Sequence, residues 1–224
     1  MKHARLIIIL LLPMIMLSFS SSSKKNILVI GDSISLGYGP FLSEMLYDKY
    51  RYSTKNTGAD VGNLDYPSGP NAGDSKMVLL YLKTLLKQKK DINLILLNCG
   101  LHDIKTDKKT RKKTIPVELY KQNLDSIFKV VKKQNIPLIW INTTPVNDSI
   151  HNSKNVGFYR YNADVIKYNL AADSICKKHK IKQIDLYNFT SKFPITAYKD
   201  HIHYFNEYAR LQAAYIAGFV QATQ

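Results

Sequence analysis

The stretch Asn26-Ile27-Leu28-Val29-Ile30, running into Gly31-Asp32-Ser33, constrains this chain most. A short apolar run with β-branched members reads as a buried strand. Gly31 permits a tight turn without a Cβ clash. Beyond Ser33 the apolar residues recur at helical spacing. Ser33 is therefore expected at the carboxyl end of a strand, on the turn into a helix. In open α/β sheets that edge is where sites form. The helix N-terminus behind it offers N–H groups and partial positive charge, which suit a serine nucleophile because its attack develops negative charge. Taken alone, Gly-Asp-Ser is also an ordinary capping turn, so the rest of the chain has to decide.

The remainder repeats the same alternation. A helix over about 35–50 buries Phe41, Leu42, Met45 and Leu46, and a short strand follows near Tyr52 to Lys55. A long loop, Gly58 to Gly73, ends in Asn71-Ala72-Gly73-Asp74-Ser75, and Asp74 or Ser75 caps a helix reaching about Gln88. A second strong strand, Ile92 to Asn98, runs into Cys99-Gly100-Leu101-His102-Asp103. After a very basic loop, Lys105 to Lys113, Thr114 and Pro116 open a helix with Val117, Tyr120, Leu124, Ile127, Phe128 and Val131 inward. Then come a strand at Pro137 to Ile141, a loop to Phe158, a helix at Tyr161 to Lys178, and a strand at Gln183 to Leu186. A third loop from Asn188 to Asp200 precedes a last helix from about Asn206 to Phe219. Five strand–helix repeats imply a parallel sheet of five strands covered on both faces. The long loops follow strands, so they gather on the edge that carries Ser33.

The first residues read as a targeting segment. Met1 to Arg5 is a short basic start, Leu6 to Phe19 is almost wholly apolar, and Ser18-Phe19-Ser20 offers small residues where a signal peptidase cuts. A signal peptide over residues 1–20 is expected, with a single domain over 26–224. The other reading is an uncleaved anchor, but the run is short for a span and contains Pro13. Cleavage removes Lys2 and Arg5 and lowers the net charge from +15 to +13. Export points to the periplasm or the outside of the cell, and no stable membrane insertion is expected after cleavage. The lysines are spread along the chain with no nucleic-acid module and no metal-ligand spacing, so neither nucleic acid nor a metal is expected. Two cysteines make no disulfide framework. Cys99 and Cys176 read as small buried hydrophobes, with a Cys99 nucleophile as the sharper alternative.

Four turns thus converge on one edge: those bearing Ser33, Gly73, His102 with Gly100, and Asp200 with His203. Acyl transfer by a serine needs a base, a carboxylate to orient it, and donors for the oxyanion. Asp200 and His203, three apart on one loop before a helix, can supply the first two.

These residues together resemble the SGNH, or GDSL-type, hydrolases. Gly31-Asp32-Ser33 is similar to the nucleophile block of that family, Asn71 to Ser75 to its glycine block, and Asp200-His201-Ile202-His203 to its terminal Asp-x-x-His block. The resemblance spans essentially the whole mature chain. It implies a three-layer α/β/α, flavodoxin-like fold and a serine esterase without a cofactor. It further implies Ser33 as nucleophile, His203 as base and Asp200 as orienting carboxylate. The N–H groups of Ser33 and Gly73 would be oxyanion donors, with Asp32, Gly100 and Asp103 supporting the loops. One departure stands out: Gly100-Leu101-His102-Asp103 sits where the family has Gly-x-Asn-Asp. His102 is expected to take over the asparagine's donor role, since a neutral imidazole donates from one ring nitrogen. A His102 turned away, leaving two donors, and a metal site built from His102, His201 and His203 are the alternatives. His201 is the competing base.

The expected substrate is a small-molecule or glycan ester. The loops are rich in Asn, Asp, Ser, Lys and Tyr, which suits sugar hydroxyls and tilts the reading toward a carbohydrate deacetylase. A lipase or thioesterase, a glycan acetyltransferase on the same acyl-enzyme, and a non-catalytic glycan binder are the other classes. The cations Lys105, Lys108, Lys109, Arg111, Lys112 and Lys113 read as a solvated loop, or as a surface for an anionic glycan.

Overall fold

The structure, a computed structural model, describes residues 23–56, 64, 66–88 and 91–223. The leader expected over 1–20 and the start of the glycine-rich loop at Gly58 lie outside the described residues. In chain order the elements are β1 (Lys25–Ile30), α1 (Ser33–Leu46), β2 (Tyr50–Thr54), α2 (Ser75–Leu85), β3 (Leu94–Leu97), β4 (Thr106–Asp107) and α3 (Val117–Lys132). There follow β5 (Leu138–Ile141), α4 (Asp148–Ser153), β6 (Phe158–Tyr159), α5 (Asn162–His179), β7 (Lys182–Ile184), α6 (Leu186–Thr190) and α7 (Asn206–Thr223).

Five strands form one parallel sheet in the order β2-β1-β3-β5-β7, the flavodoxin-like order. The register sets Ile27 beside Leu94 and Leu97 beside Trp140. The central strands read as continuous apolar runs because both faces are covered: Ile27 to Ile30, Leu94 to Leu97 and Leu138 to Ile141 are all buried. The crossover through α1 moves to one side of β1, and the crossover through α2 moves back past it. Right-handed crossovers then put α1 and α2 on opposite faces. Accordingly α1 packs on α7, while α2, α3 and α5 pack in a row. The chain changes direction between β1 and β3, and the carboxyl ends of those two strands open a crevice there.

Buried polar bonds tie the loops of that crevice together. The Asp103 carboxylate accepts the Ser75 N–H at 3.0 and 3.1 Å, and Asn123 Nδ2 donates to Ser75 Oγ at 2.9 Å. The turn after β3 is thereby fixed to the starts of α2 and the body of α3. Tyr120 donates its hydroxyl to the Cys99 carbonyl at 2.9 Å, and Asn98 Nδ2 donates to the Ile141 carbonyl at 2.9 Å. Burial pushes the Asp103 carboxyl up to about 7, although its bonds to Ser75 pull the other way.

The cysteines are buried and unbridged, and burial pushes both thiols well above their ordinary range. The long polar stretches hold structure that local pattern does not announce. The basic loop supplies β4, and the loop before Tyr161 supplies both α4 and β6, which pairs antiparallel with β4. Among the described residues no helix is long and apolar enough to cross a membrane.

Candidate active site

Ser33 is the first residue of α1, and Asp32 caps the helix by accepting the Ile34 N–H at 2.9 Å. Ser35 Oγ donates back to the Asp32 carbonyl at 2.7 Å. The turn has no room for a side chain at position 31, where a Cβ would come within 2.6 Å of Ser35 Cβ. Asp32 is buried, which raises its carboxyl, while the Ile34 N–H and the charges of Arg160 and His203 oppose the rise.

The C-terminal loop brings a histidine to this serine. His203 Nε2 lies 2.8 Å from Ser33 Oγ. On the other side of the ring, Nδ1 lies 2.8 Å from Asp200 Oδ2 and 3.1 Å from Oδ1. Asp200 Oδ1 also accepts the backbone N–H groups of Ile202 and His203, at 2.9 and 2.8 Å. Burial opposes ionisation of Asp200, but the His203 ring and these two N–H groups outweigh it. Its carboxyl sits well below the usual carboxylate range. The loop is closed by Lys199 N–H to the His203 carbonyl at 2.8 Å and by the hydroxyls of Tyr198 and Tyr204, both on the Pro145 carbonyl. His201 turns elsewhere: its Nδ1 lies 2.9 Å from His151 Nδ1 on α4.

Gly73 is held next to the nucleophile turn, because the Ala72 N–H donates to the Gly31 carbonyl at 2.9 Å. Its φ of +75° favours glycine, and a Cβ there would come within 2.7 Å of Met77 Sδ and Pro67 Cβ. The Gly73 N–H donates to Asn71 Oδ1 at 3.1 Å, so any further acceptor there has to share it. His102 is buried in the adjacent turn, next to Asp103. Gly100 passes close to Thr143, whose Oγ1 would be 2.5 Å from a Cβ. Among the described residues no cluster of three or more His, Cys, Asp or Glu side chains is placed to hold a metal ion. A hydroxyl, an imidazole and a carboxylate in one hydrogen-bonded line can pass the hydroxyl proton to the ring.

The family model for GDSL-like Lipase/Acylhydrolase matches residues 27–216. The chain belongs to the GDSL-like lipase/acylhydrolase family. It is a serine ester hydrolase. No curated protein sequence matches it significantly. Among solved structures it is similar to a lipase/acylhydrolase from Enterococcus faecalis, with 15% identity, a TM-score of 0.66, and coverage of 88% of this chain and 96% of that one. It is similar to the acetyl xylan esterase AlAXEase at 15% identity and TM-score 0.66, covering 87% and 99%. Est24, a carbohydrate acetylesterase from Sinorhizobium meliloti, aligns at 15% identity and TM-score 0.62, covering 90% and 100%. At these identities the likeness concerns the fold.

Within this GDSL-like site lies a cavity of about 370 Å³ that touches Ser33 and His203. Its walls include Leu36, Pro40, Phe41 and Leu64, with Tyr204 and Ala209 opposite. The expectation of a polar surround omitted this wall, because Phe41 falls in the apolar stripe with Leu42, Met45 and Leu46 and reads as core. A larger cavity of about 510 Å³, around Pro137, Lys180 and Ile181, holds none of the site residues. Sequence reasoning also missed Arg160. It is buried, and its Nε donates to the Leu101 carbonyl at 2.9 Å, steadying the turn that carries His102. A lone arginine in an apparent loop gives no signal of this.

Proposed function

We propose that this enzyme removes short acyl groups from carbohydrate esters through an acyl-enzyme on Ser33. The observation that carries the reading is the unbroken line from Ser33 Oγ through His203 to Asp200 Oδ2, with 2.8 Å at each step. His203 takes the hydroxyl proton as Ser33 attacks the ester carbonyl, then returns it to the leaving alcohol. Water, activated by the same ring, releases the acid. Asp200, ionised throughout, keeps the ring proton on Nδ1 so that Nε2 faces Ser33 as acceptor. The oxyanion is met by the N–H groups of Ser33 and Gly73 and by the His102 ring, and Asp32, Gly100 and Asp103 hold those turns.

The polar loops and the acetyl xylan and carbohydrate esterases of the same fold support a sugar ester. The apolar cavity beside Ser33 favours a second reading, with an acyl chain longer than acetyl. Export, through cleavage near Ser20, completes the proposal. Hydrolysis of p-nitrophenyl acetate and octanoate by the mature chain and by Ser33→Ala tests it. The expected result is hydrolysis by the wild type with acetate preferred, and a loss of at least about 10³-fold in the variant. A preference for octanoate selects the second reading. Unchanged activity in Ser33→Ala removes the serine mechanism.

A further inference from the structure

The β4–β6 ribbon stands at the margin of the active site and carries an unusual charge. From 105 to 113 the chain has six cations and one carboxylate. That carboxylate, Asp107, is used inside the turn, where Oδ1 accepts the N–H groups of Lys109 and Thr110 and the Thr110 hydroxyl. Lys113 pairs with Asp164. Lys108, Lys109, Arg111 and Lys112 form no ion pair with a carboxylate of the described residues. Several cations are held against rings of the same ribbon or of the chain just after it. Lys108 and Arg111 flank Tyr159 at 5.3 and 4.9 Å, Lys105 lies over Phe158 at 4.4 Å, and Lys113 lies near Tyr161 at 5.4 Å. Rings that hold lysine and arginine stems in place lower the ordering cost of meeting an anion.

Contacts run from this ribbon to the nucleophile. Phe158 stacks near His151 with centroids 5.6 Å apart, His151 meets His201 at 2.9 Å, and the His201 and His203 rings are 6.1 Å apart. Four cations without a carboxylate partner on one turn, two of them held on Tyr159, match a polymer with repeating negative charge better than a single anion. The turn from Asp107 to Lys113 has no apolar residue to enter a bilayer, and Phe158 and Tyr159, half-buried and faced by cations, offer no stacking platform for bases.

We infer that the ribbon binds the main chain of an acidic, uronate-containing polysaccharide whose ester enters at Ser33. The substrate assignment rests on the ester-hydrolase reading, whereas the binding does not. The test uses the mature chain and a variant carrying Lys108→Glu, Lys109→Glu, Arg111→Glu and Lys112→Glu on the exposed turn, with folding checked by circular dichroism. Affinity electrophoresis in polygalacturonate, which carries no acyl ester, reads binding alone. The wild type should be retarded, with affinity falling about tenfold or more from about 50 to about 300 mM salt, and the variant should run freely. Neutral dextran should retard neither. Hydrolysis of p-nitrophenyl acetate should be equal in the two proteins, while the rate on acetylated polygalacturonate relative to acetylated xylan should drop at least about tenfold in the variant. Equal retardation of both proteins, or of neither, overturns the inference. So does capture by phosphatidylglycerol vesicles without retardation by polygalacturonate. Retardation that the variant loses, in a protein with no esterase activity, upholds the surface and overturns the reaction.

Discussion

Single residues divide the chemistry among themselves by what they touch. Asp200 touches His203 twice and two backbone N–H groups, so its substitution removes orientation as well as charge. Asp200→Asn should lower kcat by about 10²–10⁴-fold. His201 faces His151 instead of Ser33, so His201→Ala should cost less than about tenfold, while His203→Ala should match Ser33→Ala. Steady-state kinetics on p-nitrophenyl acetate checks the ranking, and a reversed order for the two histidines would reassign the base. His102 stands where the family resemblance implies an asparagine. His102→Asn should keep most of kcat, because an amide donates from a similar position, whereas His102→Ala should lose about 10²–10³-fold. Full activity in both variants would remove His102 from the oxyanion site. That Ser33, Asp200 and His203 come together was readable in sequence, because each lies in a short block with a chemical reason for its spacing. Arg160 and His151 were not, since their partners lie far off in sequence and only the folded ribbon and α4 bring them together.

Elements hold those residues through a few buried bonds, and one of these carries a pH dependence. Asp103 anchors the turn after β3 to the start of α2, and burial raises its carboxyl from 3.8 to about 7. Between those values the folded chain binds more protons than the unfolded chain, so this group's contribution to stability falls as pH rises and levels off above about 7. Asp103→Asn keeps an acceptor for Ser75 and loses the titration. The difference in Tm, wild type minus variant, should therefore decline from about pH 4 to about pH 7 and then flatten. A difference independent of pH would contradict the buried, protonatable Asp103. The sheet strands and long helices were legible because their apolar periods are strong, as in α3, where Tyr120, Leu124, Ile127 and Val131 face one way. Pairing of β4 with β6 was not, because two-residue strands have no period, and their register depends on residues about fifty positions apart.

At the scale of the molecule, one sheet edge gathers four turns that no local pattern links. The direction of the chain reverses between β1 and β3, which opens the crevice, and α7 closes the apolar cavity against α1. This parallel architecture follows from five apolar runs alternating with helices, so it was legible in the sequence. The cavity was not, since a residue lining a pocket and a residue lining the core have the same hydropathy, and Phe41 shows both uses. We propose that this edge forms an acyl-enzyme at Ser33. Rapid mixing with p-nitrophenyl acetate, an acid quench, and peptide mapping by mass spectrometry detect such an intermediate. An acetyl group is expected on the peptide that contains Ser33, formed in the burst and absent from Ser33→Ala. Hydrolysis that proceeds with the label on Cys99 or another side chain, or with Ser33 never acylated, would contradict it.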